Sequence, residues 1–289
     1  MKHYLGPCLV LMIVGAGVVS ADKSVAKKEW NQPAEPYRVV SNIYYVGTNF
    51  LASFLITTPA GHFLINSDFE ESVPLIRASV EKLGFKFTDI KYLLNSQAHD
   101  DHVAGNFMVK ELTAARVLVM QGDEQVVEKG GKGDFNYITE WKACKVDRVL
   151  HDGETVTLGG TTLTAHWTPG HTKGCTTWTT SIVDKGKSLN VVIVGGTGVN
   201  AGYKLVHNAK YPRIASDYAH TFEVLRSLPC DIFLGAHPVY YGGDEKAVRL
   251  KAGESPNPFI DPKGYKQYVD DADKKFREEL ARQQRGSEK

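Results

Sequence analysis

The chain of 289 residues is long enough for one large domain, or two small ones, with a sizeable apolar core. Its 34 Lys and Arg balance 33 Asp and Glu, so no net field recommends a nucleic acid or an anionic membrane as partner. Four cysteines become three if Cys8 leaves with an N-terminal leader, and an odd number excludes a disulfide framework as what holds the fold. One pair among Cys144, Cys175 and Cys230 stays open.

Residues 1–21 stand apart. Lys2 and His3 precede an uncharged, mostly aliphatic run over 4–19, interrupted by Pro7, and Val19-Ser20-Ala21 supplies the small residues of a signal-peptidase site. The run is short for a membrane span. The expectation is a signal peptide over 1–21 and a single domain over 22–289. Export to the periplasm or medium of a bacterium follows, with no membrane attachment once the leader is cut.

Residues 22–35 are polar, with Pro33 and Pro36 near their end, and read as an extended arm. Strands are expected at 37–40 and 43–46 about a Ser41-Asn42 turn, then at 50–57 and 62–65 about Pro59-Ala60-Gly61. Over 72–83, Val73, Ile76, Val80 and Leu83 recur at helical spacing, with Ser72 as the cap and Gly84 as the stop. An apolar strand at 90–94 leads into Asn95-Ser96-Gln97-Ala98-His99-Asp100-Asp101-His102, and a helix is expected from Val103 to about Ala115. A strand at 116–120 and a short helix at 122–129 follow, and the glycine-rich 130–134 is a surface loop or a lid. Further strands are expected at 155–158, 161–166, 176–183 and 189–194. A helix at 216–228, an apolar strand at 231–237 and a charged, solvated helix at 265–285 complete the chain. Strands and helices thus come in two similar halves. That order points to an α/β protein built as a four-layer αβ/βα sandwich, two sheets face to face with helices outside.

Chemistry concentrates behind the strand at 90–94. A rigid strand fixes the loop that follows it, and every side chain from Gln97 to His102 except Ala98 carries an oxygen or nitrogen. In an extended loop, alternate positions 97, 99 and 101 project one way, while His102 turns towards a second centre. His171 and His237 each follow an apolar strand. Imidazole and carboxylate are the donors zinc accepts, normally four per ion including water in a catalytic site. His99, Asp101, His102, His171 and His237 are therefore the candidate ligands, across three strand ends. His3, His62, His151, His166, His207 and His220 are read as structural.

Gln97-Ala98-His99-Asp100-Asp101-His102, Thr168-Pro169-Gly170-His171-Thr172 and Gly235-Ala236-His237-Pro238 together resemble the metallo-β-lactamase superfamily, over roughly 37–237. The His-x-His-x-Asp-His signature is matched in order, except that Gln97 stands in place of its first histidine. The likeness is strongest to class B β-lactamases of the third subclass. Within these it is to the GOB-type branch, which also has glutamine first and shares runs such as Pro169-Gly170-His171-Thr172-Lys173-Gly174 and Ser216-Asp217-Tyr218-Ala219.

The resemblance implies two zinc sites, one on Gln97, His99 and His171 and one on Asp101, His102 and His237. A neutral amide oxygen is a poorer donor than imidazole, which makes the first site the weaker. It implies hydrolysis of the β-lactam amide of penicillins, cephalosporins and carbapenems by a metal-bound hydroxide, with Asp101 as the catalytic residue that orients the nucleophile. The implied protein is a monomer that acts on small molecules and confers antibiotic resistance. Thr197 is the candidate contact for the substrate carboxylate, and Cys175, four residues after His171, is expected to pack rather than to bind metal. Thioesterases of the glyoxalase II type and lactonases place a bridging Asp between the last two histidines, whereas Val194-Gly195-Gly196-Thr197-Gly198 has no acid. The alternatives are an exported lactonase or thioesterase of the same fold, and a zinc-binding homologue without activity.

Overall fold

The computed structural model of the chain describes residues 27–136 and 139–287, so the leader expected at 1–21 lies outside the described residues. The first sheet runs β1 (Tyr37–Val40), β2 (Ile43–Tyr45), β3 (Phe54–Thr58), β4 (Gly61–Ile65), β5 (Ile90–Leu94), β6 (Arg116–Met120) and β7 (Arg148–Leu150), in that order across the sheet. The strands from β1 to β4 form an antiparallel meander, and those from β4 to β7 are parallel. Between the parallel strands come α1 (Val73–Lys82), α2 (Asp100–Val103), α3 (Asn106–Thr113) and α4 (Glu124–Glu128). The second sheet holds β8 (Thr155–Leu158), β9 (Thr161–Trp167), β10 (Thr176–Asp184), β11 (Lys187–Val194) and β12 (Ile232–Gly235), antiparallel except for β11 and β12. The crossover between those two is α5 (Ile214–Ser227). After β12 come α6 (Pro238–Tyr241), α7 (Gly243–Lys251) and α8 (Pro262–Ser287).

Side-chain alternation explains the layers. Along β4, β5 and β6, Ile65, Leu94, Leu118 and Met120 join one cluster with Ala165, Trp178 and Ile193 of the second sheet. The intervening Leu64, Leu93, Val117 and Val119 face the other way and pack with Ile76 and Val80 of α1 and Val109 of α3. On the far side of the second sheet, Phe233 meets Tyr265 of α8, ring centroids 5.3 Å apart, and Phe222 of α5 meets Phe276 of α8. The result is the four-layer sandwich. Because the central strands are buried on both faces, a one-residue slip of register would exchange the contents of two cores, which specifies the pairing strongly.

Several local expectations are corrected. Residues 50–53 are a loop rather than strand: Val46 N–H donates to Ser53 O and Thr48 N–H to Leu51 O, 2.9 Å each, and Phe50 is carried to the surface. The helix behind β5 begins at Asp100, so Asp101 and His102 leave one helical turn instead of opposite sides of an extended loop. The expected arm is helical at residues 27–30, and Ser72 does not cap α1 but donates to Asn31 Oδ1 at 2.6 Å. The charged α8 is not solvated all round, since Tyr265, Val269 and Phe276 enter the core. Cys144, Cys175 and Cys230 are free thiols, so none of the three is paired.

Candidate metal centre

The loops behind β4, β5, β6, β11 and β12 gather at the carboxyl ends of parallel strands, where open α/β sheets place ligands. The two sheets are stitched together at this edge. Thr176 N–H donates to Ser96 O (2.7 Å), Trp178 Nε1–H to Asn95 O (3.1 Å) and Ala52 N–H to Ala236 O (3.0 Å). His99 is still extended (φ −107°, ψ 156°), after which α2 turns the chain. Gln97 and His99 therefore fall into one group of donors, Asp101 and His102 into another.

In the second group, Asp101 Oδ2 lies 3.3 Å from His102 Nε2 and 3.5 Å from His237 Nε2, and the two ring nitrogens are 3.1 Å apart. A tetrahedral zinc with bonds of about 2.0–2.1 Å spaces its ligand atoms by about 3.3 Å. The three donors thus stand where a single ion would hold them. His237 is oriented by its other nitrogen, Nδ1–H donating to Phe50 O at 3.0 Å, which leaves Nε2 a bare lone pair.

The first group is resolved by its hydrogen bonds. Gln97 Nε2 faces Gly195 O at 3.4 Å, so its Oε1 faces His99 Nδ1 at 2.8 Å. Tyr203 donates its hydroxyl proton to His171 O (2.7 Å), and its oxygen therefore accepts from His99 Nε2–H (3.2 Å). That network makes His99 Nδ1 a bare lone pair directed at a carbonyl oxygen. Two acceptors so close are relieved by a cation beside both. His171 completes the group: its Nδ1–H donates to Gly198 O (2.6 Å), which frees Nε2, and its ring stands at 81° to that of His99 with centroids 4.8 Å apart.

At three of the four rings, electrostatics agree with this assignment. Burial pushes His99 down to about 3, with the His171 charge adding to it, and His171 and His237 down to about 4. These rings are neutral at pH 7, as metal ligands must be. Burial acts against ionised Asp101 too, but His102, by charge and hydrogen bond, and then His237 outweigh it and hold the carboxyl well below its usual range. Burial lowers His102, and the Asp101 charge overcomes it, leaving that ring raised.

The cavity over these groups has a volume of about 420 Å³, and its walls include Trp30, Phe69, Trp141 and Tyr240 beside His99, Asp101, His171 and His237. Trp30 stacks on Phe50 and presents an edge to the His237 ring. Gly131 and Asp134 also line it, so the glycine-rich loop borders the site. Thr197 is placed differently. Its hydroxyl is hydrogen-bonded to Tyr268 OH (2.7 Å) and it lines a neighbouring cavity against α8, while Gly198 and Asn200 line the histidine cavity. Cys175 packs, as expected: its Sγ meets Gly196 O at 3.5 Å and burial pushes the thiol up to about 12. At Gly196 a Cβ would lie 2.6 Å from the His171 ring, so that position has no room for a side chain. Two residues that sequence reasoning missed are Tyr203, whose aromatic position carries no distinguishing pattern, and Asp123, which reads locally as an ordinary helix cap.

Residues 47–237 match the family model of the metallo-beta-lactamase superfamily. The chain belongs to the metallo-β-lactamase superfamily. Among solved structures it is similar to the native FEZ-1 metallo-beta-lactamase from Legionella gormanii, 52% identical, with a TM-score of 0.86 over 88% of this chain and 98% of that one. It is 38% identical to BJP-1, a subclass B3 metallo-beta-lactamase of Bradyrhizobium japonicum, with a TM-score of 0.85 over 90% and 99% of the two chains. It is also 38% identical to the metallo-beta-lactamase GOB-18 from Elizabethkingia meningoseptica, with a TM-score of 0.83 over 88% and 95%. The likeness to the third subclass is thereby borne out. A curated relative, a hydroxyacylglutathione hydrolase of Hyphomonas neptunium, is 28% identical over 121 residues, 42% of this chain and 40% of that protein's length. The chain thus matches well under half the length of its curated superfamily relatives and nearly all of its solved ones.

Proposed function

We propose that this metallo-β-lactamase superfamily member is an exported zinc β-lactamase that hydrolyses the amide of penicillins, cephalosporins and carbapenems. The observation that carries the metal reading is the Asp101–His102–His237 triangle, with edges of 3.1–3.5 Å. In this reading these three residues hold one ion, and Gln97, His99 and His171 hold a second, weaker one. Zinc so bound supplies an acidified water and a polarised carbonyl. The residues of the chain do the rest. Ionised Asp101 accepts a hydrogen bond from the attacking water at a carboxylate oxygen and orients it, which is its catalytic role. Tyr203 holds the His99 ring, and Trp30 and Tyr240 offer apolar walls that exclude bulk water from the substrate. The substrate class is supported by the similarity to FEZ-1, BJP-1 and GOB-18.

A thioesterase is the second reading, favoured by the hydroxyacylglutathione hydrolase relatives. Against it stands the stretch Val194-Gly195-Gly196-Thr197-Gly198, which has no acid to bridge two ions. A panel of penicillin, cephalosporin, carbapenem, lactone and thioester substrates separates the two, run with added zinc, chelator reversal and metal counting. Turnover of the β-lactams that a chelator abolishes and zinc restores is expected. Thioester turnover without β-lactam turnover would replace the proposal, and no turnover with metal bound would favour a non-catalytic homologue.

Gln97→His is expected to tighten metal at the first centre by about tenfold or more, because imidazole replaces an amide oxygen. Zinc titration against a competing chromophoric chelator measures it. Unchanged affinity would show that Gln97 does not face the ion. Export is checked by mass: the protein recovered from the periplasm is expected to begin at Asp22. No helix among the described residues is long and apolar enough to cross a membrane. The same reading expects a monomer, with a small-molecule β-lactam as its partner and lowered antibiotic sensitivity in the host.

A further inference from the structure

Asp123 stands at the N-cap of α4, where an aspartate ordinarily accepts hydrogen bonds from the first amides of its own helix. Here its side chain accepts none of them. Its Oδ2 accepts Ala98 N–H (2.8 Å) and the Thr172 hydroxyl (2.6 Å), and its Oδ1 accepts Gly174 N–H (2.7 Å). The residue is 2% exposed, so a cap on the surface has been given up for three donors from two other loops in the interior. A local rule broken at a buried position marks a place where tertiary demand outweighs helix stability.

What those donors have in common is their neighbours. Ala98 separates Gln97 from His99, and Thr172 follows His171. One carboxylate therefore ties together both backbone segments that carry the first group of donors. The seat is tight. A Cβ on Gly174 would lie 2.6 Å from Asp123 N, and one on Gly122, whose φ is +106°, would lie 2.9 Å from the carbonyl of Lys173. The second group has anchors of its own. His102 O accepts Ser67 N–H at 3.0 Å, and His237 is held by Phe50 O.

We infer that Asp123 is a positioning residue for the Gln97, His99 and His171 half of the centre, holding the two loops at the separation one ion requires. The inference rests on the two-centre reading above. The carboxylate is needed because it offers acceptors on both oxygens. An asparagine must turn its amide N–H₂ either on Gly174 N–H or on Ala98 N–H, so one backbone donor loses its partner and the loops part.

The test is cobalt(II) titration of the metal-free wild type, Asp123→Asn and Thr172→Val, followed by visible absorption. It is paired with side-chain ¹⁵N spectra of the histidines in the metal-free proteins. Asp123→Asn is expected to weaken the first centre by about 10–100-fold and the second by less than about threefold. Thr172→Val, which removes one of the three bonds, shifts the first centre in the same direction by less. In the spectra, His99 and His171 are expected to move while His102 and His237 hold. Both centres weakening together, neither weakening, or all four rings moving alike would overturn the inference. A wild type that takes up a single ion would sink the two-centre reading instead, and the ring spectra would then decide Asp123 alone. Thr172→Val carries the test if the asparagine variant does not fold.

Discussion

His102→Ala is expected to remove one bound ion and to lower kcat/KM by at least about a thousandfold, equivalent to about 4 kcal/mol of transition-state stabilisation. The side chain is fully buried and supplies one corner of the three-donor triangle. Its loss leaves only Asp101 and His237, 3.5 Å apart, and two ligands do not retain zinc against a buffer. It also removes the ring that stands 3.3 Å from Asp101 Oδ2, so the group meant to orient the nucleophile loses a neighbour that fixes its own orientation. The fold should survive, because the Ser67 N–H bond is to the backbone carbonyl of His102 and alanine suits the short α2. Steady-state kinetics on a β-lactam, with metal content measured on the same samples, check the outcome. Near-normal turnover with two ions retained would contradict the ligand assignment.

Trp178→Ala is expected to have the largest effect on stability, about 3–5 kcal/mol for an aromatic side chain deleted from a closed core. Trp178 lies at the middle of the sandwich with 0% exposure, cross-strand from Ala165 and Ile193. Its indole N–H also donates to Asn95 O, the carbonyl directly behind β5 and two residues before Gln97. The variant therefore opens a cavity and loosens the base of the ligand loop together. A fall in Tm of about 6–20 °C is expected for a domain of this size, read by calorimetry on the metal-free protein. Trp178→Phe keeps most of the packing but leaves that carbonyl without its donor, at a smaller cost of about 1–3 kcal/mol. An alanine variant melting within about 2 °C of the wild type would show that the space between the sheets closes over the deletion.

The architecture was legible because its signals are local. Apolar runs along 62–65, 90–94 and 116–120 and helical spacing over 72–83 are each written in a few consecutive residues, and each produced an element near its expected bounds. The errors have a common origin. Residues 50–53 are apolar enough for a strand, but Phe50 is carried outward by the turn at Thr48 and Leu51, where it stacks on Trp30. The helical start at Asp100 could not be told from a loop, because its capping position is His99, which makes no capping bond. Thr197 was selected for its hydroxyl, and only the fold brings that hydroxyl to Tyr268, 71 residues later, in a cavity that shares Gly198 and Asn200 with the histidine cavity.

By itself the sequence determined the donor types, their placement behind apolar strands and the layered order of the chain, since each is written within a few consecutive residues. Tertiary structure decided which donors share a centre and which lone pair each ring presents. His237 is oriented by a carbonyl 187 residues away, His171 by one 27 residues on, and His99 by a hydroxyl 104 residues on. Ring orientation depends on hydrogen bonds to distant backbone, and no local pattern encodes a partner that only folding brings near.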